Sequence, residues 1–530
     1  MDGLIMDYQL TIPSILRRGE SLFAQKEIVT RLPDRSFHRY TYADFARRSK
    51  QLALALGTLG LERGDRVATL CWNHYQHLET YFGAAMGGYV THTLNLRLHP
   101  TDLAYIANHA GDKVVIVDES LLPLLDSFQA QTGIKHRIVV GEEYEDLLSR
   151  ADAGDYREPD LNEREAAVMC YTSGTTGQPK GVLYSHRAIT IHSLASAISG
   201  TLSLSEGDTT LPVVPMFHAN AWGFPFTCTL VGAKQVFPGP FLDPESLLQT
   251  FEQEKVTVTA GVPTIWLGIL NMLDAEPKKY DLSSVRAMIV GGSAAPRSMI
   301  EGFEERHGLH VIHAWGMTEM SPLGTIAEPT SAIRARSKDE VYAFQAKQGI
   351  PAPFVEIRAS NEEGLVPWDG STMGELEVRG VWIASAYFDD DSQADRWTED
   401  GWFKTGDIVT IDSSATIEIQ DRTKDVIKSG GEWISSVALE NALMGHPAVA
   451  EAAVIAIPDE KWQERPLGVI VLREGQAATP DELRDFLSTQ FAKWWLPESF
   501  EFVDEIPKTA VGKFRKTALR DQFAKTPAAT

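Results

Sequence analysis

Short apolar runs alternate with helical patterns over most of this chain, and no other feature limits its fold as much. Arg66–Cys71, Lys113–Asp118, Arg137–Val140, Ala166–Cys170, Val256–Val262 and Ala287–Val290 read as buried strands. Thr41–Leu56, Gln76–Gly87, Leu121–Phe128 and Tyr144–Arg150 read as helices between them. Strands separated by helices imply βαβ units and a mostly parallel sheet. The pattern then changes twice. Pro351–Arg358, Gly374–Arg379 and Ala415–Ile419 alternate apolar and polar residues, which predicts half-exposed strands of a small antiparallel sheet or barrel. Residues 435–520 return to mixed elements, with helices at Ser436–Met444 and Pro480–Phe491 and strands at Ala450–Ile457, Pro466–Leu472 and Ser499–Val503. The predicted class is α/β. A large N-terminal domain over 1–421 holds parallel βαβ sheets and a small antiparallel β-barrel-like subdomain, and a smaller α+β C-terminal domain covers 422–530.

Between the strand candidates Ala166–Cys170 and Val182–Tyr184 lies Tyr171-Thr-Ser-Gly-Thr-Thr-Gly-Gln-Pro-Lys-Gly181. Gly174, Gly177 and Gly181 let the backbone approach a ligand closely. Thr172, Ser173, Thr175 and Thr176 add hydroxyls, and Lys180 adds a point charge. A concave set of N–H, O–H and ammonium donors suits phosphate oxygens. The competing reading is a plain surface loop. It is not a Walker A loop, because only two residues separate Gly174 from Gly177.

Composition removes several function classes. A formal net charge of −23 argues against nucleic acid as a partner, so an anionic ligand must be met by local basic groups. One such group is Lys508, Lys513, Arg515, Lys516 and Arg520, with no acid among them. Cys71, Cys170 and Cys228 stand far apart and suggest neither a disulfide framework nor a metal cluster. His74 and His77 could share a helix face, yet no third ligand follows at a matching spacing. Those two, with His92, His99 and His109, read as packing or surface residues. No apolar run reaches the roughly 18 residues of a membrane span. The first residues lack a signal-peptide pattern and the last five are no peroxisomal address, so the expected location is cytoplasmic.

The loop at 173–181 resembles the phosphate loop of the adenylate-forming superfamily, which includes acyl-CoA synthetases, luciferases and peptide-synthetase adenylation domains. Later motifs resemble that superfamily in the same order, nearly to the end of the chain. Gly291–Pro296 is similar to its adenine-binding turn, which would give Gly292, Ser293 and Ala294 to ATP along with Thr172, Ser173, Gly174, Thr175, Thr176, Gly177 and Lys180. Trp315-Gly-Met-Thr-Glu319 resembles its aromatic-Gly-x-Thr-Glu motif. By that resemblance Trp315 flanks adenine with Gly316 and Met317 beside it, Thr318 binds phosphate, and Glu319 holds magnesium, with Thr175 as a second ligand. Thr405-Gly-Asp407 is similar to the motif whose carboxylate accepts from both ribose hydroxyls. Arg422 then contacts nucleotide and Lys424 is the hinge of a mobile C-terminal domain. The glycine-rich stretch Gly430, Gly431, Glu432 and Trp433 would approach coenzyme A, the competing reading being a plain linker turn. Pro507-Lys-Thr-Ala-Val-Gly-Lys513 resembles the motif of the catalytic lysine, which makes Lys513 the bridge between substrate carboxylate and α-phosphate. His218 would line the acyl site over the reacting carboxylate. Trp222, Gly223, Gly291 and Gly316 would form the acyl pocket, with Phe224 and Phe226 as further wall candidates.

What the resemblance implies is an acid–thiol ligase. It would turn a carboxylic acid and ATP, with Mg2+, into acyl-AMP and pyrophosphate, and pass the acyl group to coenzyme A. Acetate-activating relatives carry tryptophan at the place of Gly316, so glycine implies a longer acyl group. The chain looks most similar to medium-chain and methylmercaptopropionate-CoA ligases, which points to a short- to medium-chain fatty acid or methylmercaptopropionate, and it leaves room for a homodimer. Three alternatives share the motifs: an adenylation enzyme serving a carrier protein, a luciferase-like oxygenase, and a non-catalytic nucleotide sensor. Pro212–Trp222 contains no acid to meet an amino group, which argues against an amino-acid substrate.

Overall fold

The computed structural model describes residues 1, 3–172, 178–429, 432–459, 461–508 and 514–523, of Glu432 the backbone alone. A nine-stranded sheet runs Ile350–Pro351, Leu323–Ile326, Val311–Gly316, Ala287–Val290, Val258–Gly261, Thr209–Pro212, Lys234–Phe237, Glu27–Arg31, Phe37–Thr41. It is parallel from Val311–Gly316 through Glu27–Arg31 and antiparallel at both edges. A six-stranded sheet runs His136–Val140, Asp112–Asp118, Arg66–Leu70, Val90–Thr93, Ala166–Tyr171, Gly181–Ser185, parallel except for the last pair. Parallel strands are covered on both faces and so favour unbroken apolar runs. Val114, Val115, Ile116 and Val117 are accordingly all sealed from solvent.

The N-terminal segment gives more than the helix expected there. Glu27–Arg31 enters the nine-stranded sheet beside Lys234–Phe237. The helix Tyr42–Gly57 starts on a reciprocal cap, with Asp44 N donating to Thr41 Oγ1 and Thr41 N to Asp44 Oδ2, both at 3.2 Å. The barrel-like subdomain is an open antiparallel sheet, Gly364–Leu365, Val355–Asn361, Gly374–Gly380, Phe403–Ile411, Ile417–Arg422, and among the described residues its edges do not close. The C-terminal strands Glu432–Ile434, Ile427–Ser429, Gln463–Leu472 and Val449–Asp459 form another sheet, with Ser499–Phe502 added parallel to Gln463–Leu472. They pack with Ser436–Met444 and Pro480–Ser488 around a separate core that includes Ile434, Leu439, Val454 and Leu483.

Asn73, just past the strand Arg66–Leu70, joins the two large sheets. Its amide donates to Pro212 O (3.2 Å) and Val214 O (2.9 Å), and its carbonyl accepts from Met216 N (2.7 Å). The carboxyl ends of both sets of parallel strands therefore face one crevice, the place where such sheets bind ligands. The sequence Thr209–Gly223 reads as the end of a strand followed by a helix opening near His218, and the structure corrects the second part. The segment after Thr209–Pro212 does not open a right-handed helix near His218. Ala219, Asn220, Ala221 and Trp222 have φ of 43°, 55°, 49° and 55°, and Gly223 follows at 80°. This left-handed turn costs roughly 1–2 kcal/mol per non-glycine residue. It persists because Ala219, Asn220 and Ala221 are buried on every side. The right-handed helix begins only at Phe224.

Candidate active site

The phosphate-loop hairpin is closed at its mouth. Thr172 N donates to Lys180 O (2.9 Å) and Lys180 N to Thr172 Oγ1 (3.1 Å). Ser173, Gly174, Thr175, Thr176 and Gly177 lie outside the described residues. The chain between Gly374–Gly380 and Phe403–Ile411 returns over this hairpin, where Phe388 N donates to Gly181 O at 2.8 Å. The Lys180 ammonium donates to Gln393 Oε1 and sits 5.0 Å from the centre of the Tyr387 ring. Burial lowers its pKa, and the Arg396 guanidinium lowers it further, against the pull of Asp390, Glu319 and Asp395. Tyr387 in turn donates its hydroxyl to Glu319 Oε1 at 2.6 Å. Glu319 and Thr318 are buried, and Thr318 O accepts the Tyr184 hydroxyl at 2.6 Å.

Asp407 stands beside this group with both oxygens engaged. Trp315 Nε1 donates to Oδ2 at 3.0 Å, and Arg422 Nε lies 2.7 Å from Oδ1. Trp315, Asp407, Arg422, Glu319 and Lys180 thus come from four separate strands or the segments beside them and meet in one crevice. Met317 N donates to Pro322 O at 3.0 Å. Gly316 faces the same carbonyl so closely that a Cβ would lie 1.8 Å from it. Backbone approach therefore explains the glycine. Gly292 turns the adenine-type loop at φ 83°, and Ser293 on it is exposed.

Two clefts meet at half-buried His218. One, of about 330 Å3, is lined by Thr93, Asn95, Tyr171 and Thr172 among others. The other, of about 450 Å3, is lined by Arg97, Val213, Val214, Pro215, Trp222, Val262, Ile265 and Gly292. Of the expected acyl-pocket residues Trp222 lines this cleft, whereas Gly223, Gly291 and Gly316 are not among its lining residues. A Cβ on Gly291 would come 3.0 Å from the Trp222 ring, and one on Gly223 2.6 Å from His192. Phe224 and Phe226 belong to the packed core, Phe226 stacking on Tyr81 at 5.5 Å. Tyr387 and Gln393 had no sequence signal, since they reach Glu319 and Lys180 through a chain return invisible in local spacing, and nothing in the sequence marked Arg97, which lines the second cleft.

On the C-terminal side, Lys424 is exposed, and Trp433 is half-buried and paired with Lys428 across a hairpin. Gly430, Gly431, the Glu432 side chain and Lys513 lie outside the described residues. Asp421, 1% exposed, accepts from Ser436 N (2.9 Å) and Oγ (2.5 Å), and Lys516 pairs with Glu440 at 2.7 Å. Burial raises the Asp421 and Glu440 carboxyls, while for Lys516 burial is outweighed by the charges of Glu440 and Asp421, which raise it. No helix of the described residues is long and apolar enough to cross a membrane.

The crevice has counterparts among known proteins. The family described as AMP-binding enzyme matches residues 21–388, and its C-terminal domain matches residues 438–513. A long-chain-fatty-acid–CoA ligase of Thermus thermophilus is 49% identical over 98% of this chain and 96% of its own length. A 3-methylmercaptopropionyl-CoA ligase of Ruegeria lacuscaerulensis is 43% identical over 99% of both chains. An anthranilate CoA ligase crystallised with anthranoyl-AMP superposes with a TM-score of 0.88 at 26% identity, covering 97% of this chain and 98% of its own.

Proposed function

The chain belongs to the AMP-binding enzyme family, and on that premise we propose an AMP-forming acid–thiol ligase that activates a carboxylic acid with ATP and passes the acyl group to coenzyme A. The observation that carries this reading is the Asp407 carboxylate, held between Trp315 and Arg422 in the same crevice as Glu319 and Lys180. One lone pair remains on each Asp407 oxygen, which suits a vicinal diol such as a ribose. Lys180, now on the neutral Gln393 amide, would exchange it for a phosphate oxygen. Glu319 is the carboxylate that would hold a magnesium ion, since a carboxylate beside phosphate oxygens suits that ion. When bound, the ion neutralises charge on the triphosphate.

In the first step a carboxylate oxygen attacks the α-phosphorus. The bond to the bridging oxygen breaks and pyrophosphate leaves with its electron pair. In the second, the thiol of coenzyme A gives up its proton, attacks the acyl carbon and releases AMP. Phosphoryl chemistry of this kind needs positioning and charge neutralisation more than covalent help. Lys513 is proposed as the ammonium between carboxylate and α-phosphate, and Lys424 as the hinge that brings it there. The hairpin carrying Trp433 would then meet the coenzyme. The domains proposed are 1–421 and 422–530.

Val213, Val214, Trp222, Val262 and Ile265 give the larger cleft an apolar wall, which supports an aliphatic acid. We take a short- to medium-chain fatty acid or methylmercaptopropionate as substrate. Three buried free cysteines support a reducing, cytoplasmic setting. A homodimer is part of the proposal and is read by light scattering. The test of function is a pyrophosphate-release screen over carboxylic acids of graded length, with and without coenzyme A. Aliphatic acids are expected to release pyrophosphate and yield thioester. Release without thioester in the presence of coenzyme A would defeat the ligase reading. Lys513→Ala is expected to abolish acyl-AMP formation yet still convert supplied acyl-AMP; equal loss of both half-reactions defeats that assignment.

A further inference from the structure

We propose that Arg396 is a phosphate-binding residue, its guanidinium taking the non-bridging oxygens of the triphosphate between Lys180 and Asp407; this rests on the ligase reading above. Arg396 closes the turn Asp391–Arg396 that lies over the phosphate hairpin. Its Nη1 and Nη2 stand 3.5 and 3.6 Å from where a side chain on Gly406 would begin, next to Asp407. It is also the charged neighbour that Lys180 feels most, and it acts on the Tyr387 hydroxyl that holds Glu319. The guanidinium therefore lies among the groups proposed above to hold the ribose, the magnesium ion and the phosphates of ATP.

Its pairing is the second argument. Asp389, Asp390, Asp391 and Asp395 occupy the same short segment of an acidic chain. Even so, Arg396 makes no ion pair among the described residues, and its Nε is buried without a hydrogen-bond partner there. Its carbon atom lies 5.5 Å from the centre of the Phe403 ring, a packing that leaves the N–H edge for a ligand. Lys180 and Arg396 face each other with like charge. An anion between them turns that repulsion into attraction. A planar fork suits the paired oxygens of a polyphosphate, and those oxygens gain charge as pyrophosphate departs.

The experiment compares wild type, Arg396→Met and Arg396→Lys as full chains. It measures the ATP KM, the inhibition constant of pyrophosphate against ATP, the KM for coenzyme A and the affinity for adenosine. Arg396→Met keeps an apolar stem on Phe403 and is expected to weaken ATP and pyrophosphate about tenfold or more. Adenosine, which has no phosphate, is expected to bind unchanged. Arg396→Lys is expected to recover part of the loss. Unchanged pyrophosphate inhibition overturns the proposal, as does an equal loss of adenosine, Lys no better than Met, or a rise confined to coenzyme A. Wild type that binds neither ATP nor pyrophosphate overturns the ligase reading itself.

Discussion

Asp407 receives an indole N–H on one oxygen and a guanidinium N–H on the other, so the plane of its carboxylate is fixed before any ligand arrives. Removing the Trp315 donor while keeping an aromatic ring isolates that effect. Trp315→Phe is expected to raise the ATP KM about tenfold, the scale of one charge-assisted hydrogen bond, and to narrow the preference for ATP over 2′-deoxyATP. Steady-state kinetics with both nucleotides decide it; an unchanged preference would mean that the indole only packs. Gly316 is a second residue whose environment changes its meaning. The sequence suggested room for a long acyl group. The structure shows the Pro322 carbonyl 1.8 Å from where a Cβ would sit, between two paired strands. Gly316→Ala is therefore expected to cost about 1–3 kcal/mol and a few degrees of melting temperature, with the chain-length profile intact. A stable variant with a shortened profile would return the glycine to the acyl pocket.

At the scale of elements, the strand Val311–Gly316 is anchored through the residue before it. His310 Nδ1 meets Glu304 Oε1 and Nε2 meets Glu328 Oε2, both at 2.9 Å, while Val311 N donates to Glu304. Burial opposes charging of this imidazole, but hydrogen bonds to Glu304 and Glu328 raise its pKa to about 9. The ordinary value is about 6.5. The raised folded value means that the stabilisation is complete below about pH 6.5 and is lost as pH rises through 9. It amounts to something on the order of 1–3 kcal/mol. Denaturant unfolding at pH 6.5 and 9.5 is expected to show that loss in the wild type, and His310→Gln is expected to remove it. A variant with the same pH slope would place the proton elsewhere. Elements also differed in how legible they were. Sequence runs such as Lys113–Asp118 were plain because both faces of a parallel strand are apolar. The left-handed turn Ala219–Trp222 gave almost no sign, since it contains no glycine and only Asn220 tolerates that backbone readily.

For the whole molecule, strand and helix alternation was enough to predict parallel βαβ sheets and a smaller C-terminal α+β unit. The sequence did not reveal which strand ends would meet. Asn73 joins the two sheets, and the Tyr387–Arg396 return closes over the hairpin; both depend on contacts between distant parts of the chain. The same holds where the C-terminal unit docks. Asp421 lies on the near side of Lys424, whereas Ser436, Glu440 and Lys516 lie beyond it. The proposed turn about Lys424 would part Asp421 from Ser436. The Asp421 carboxylate would have to recruit water as it leaves Ser436 and shed it again on return, while Lys516 keeps its pairing with Glu440. The proposed movement is then a catch with two seated positions, since half-open arrangements leave the Asp421 carboxylate neither hydrogen-bonded nor hydrated. Such a catch would make the entry of solvent at one small joint part of the cost of every turn.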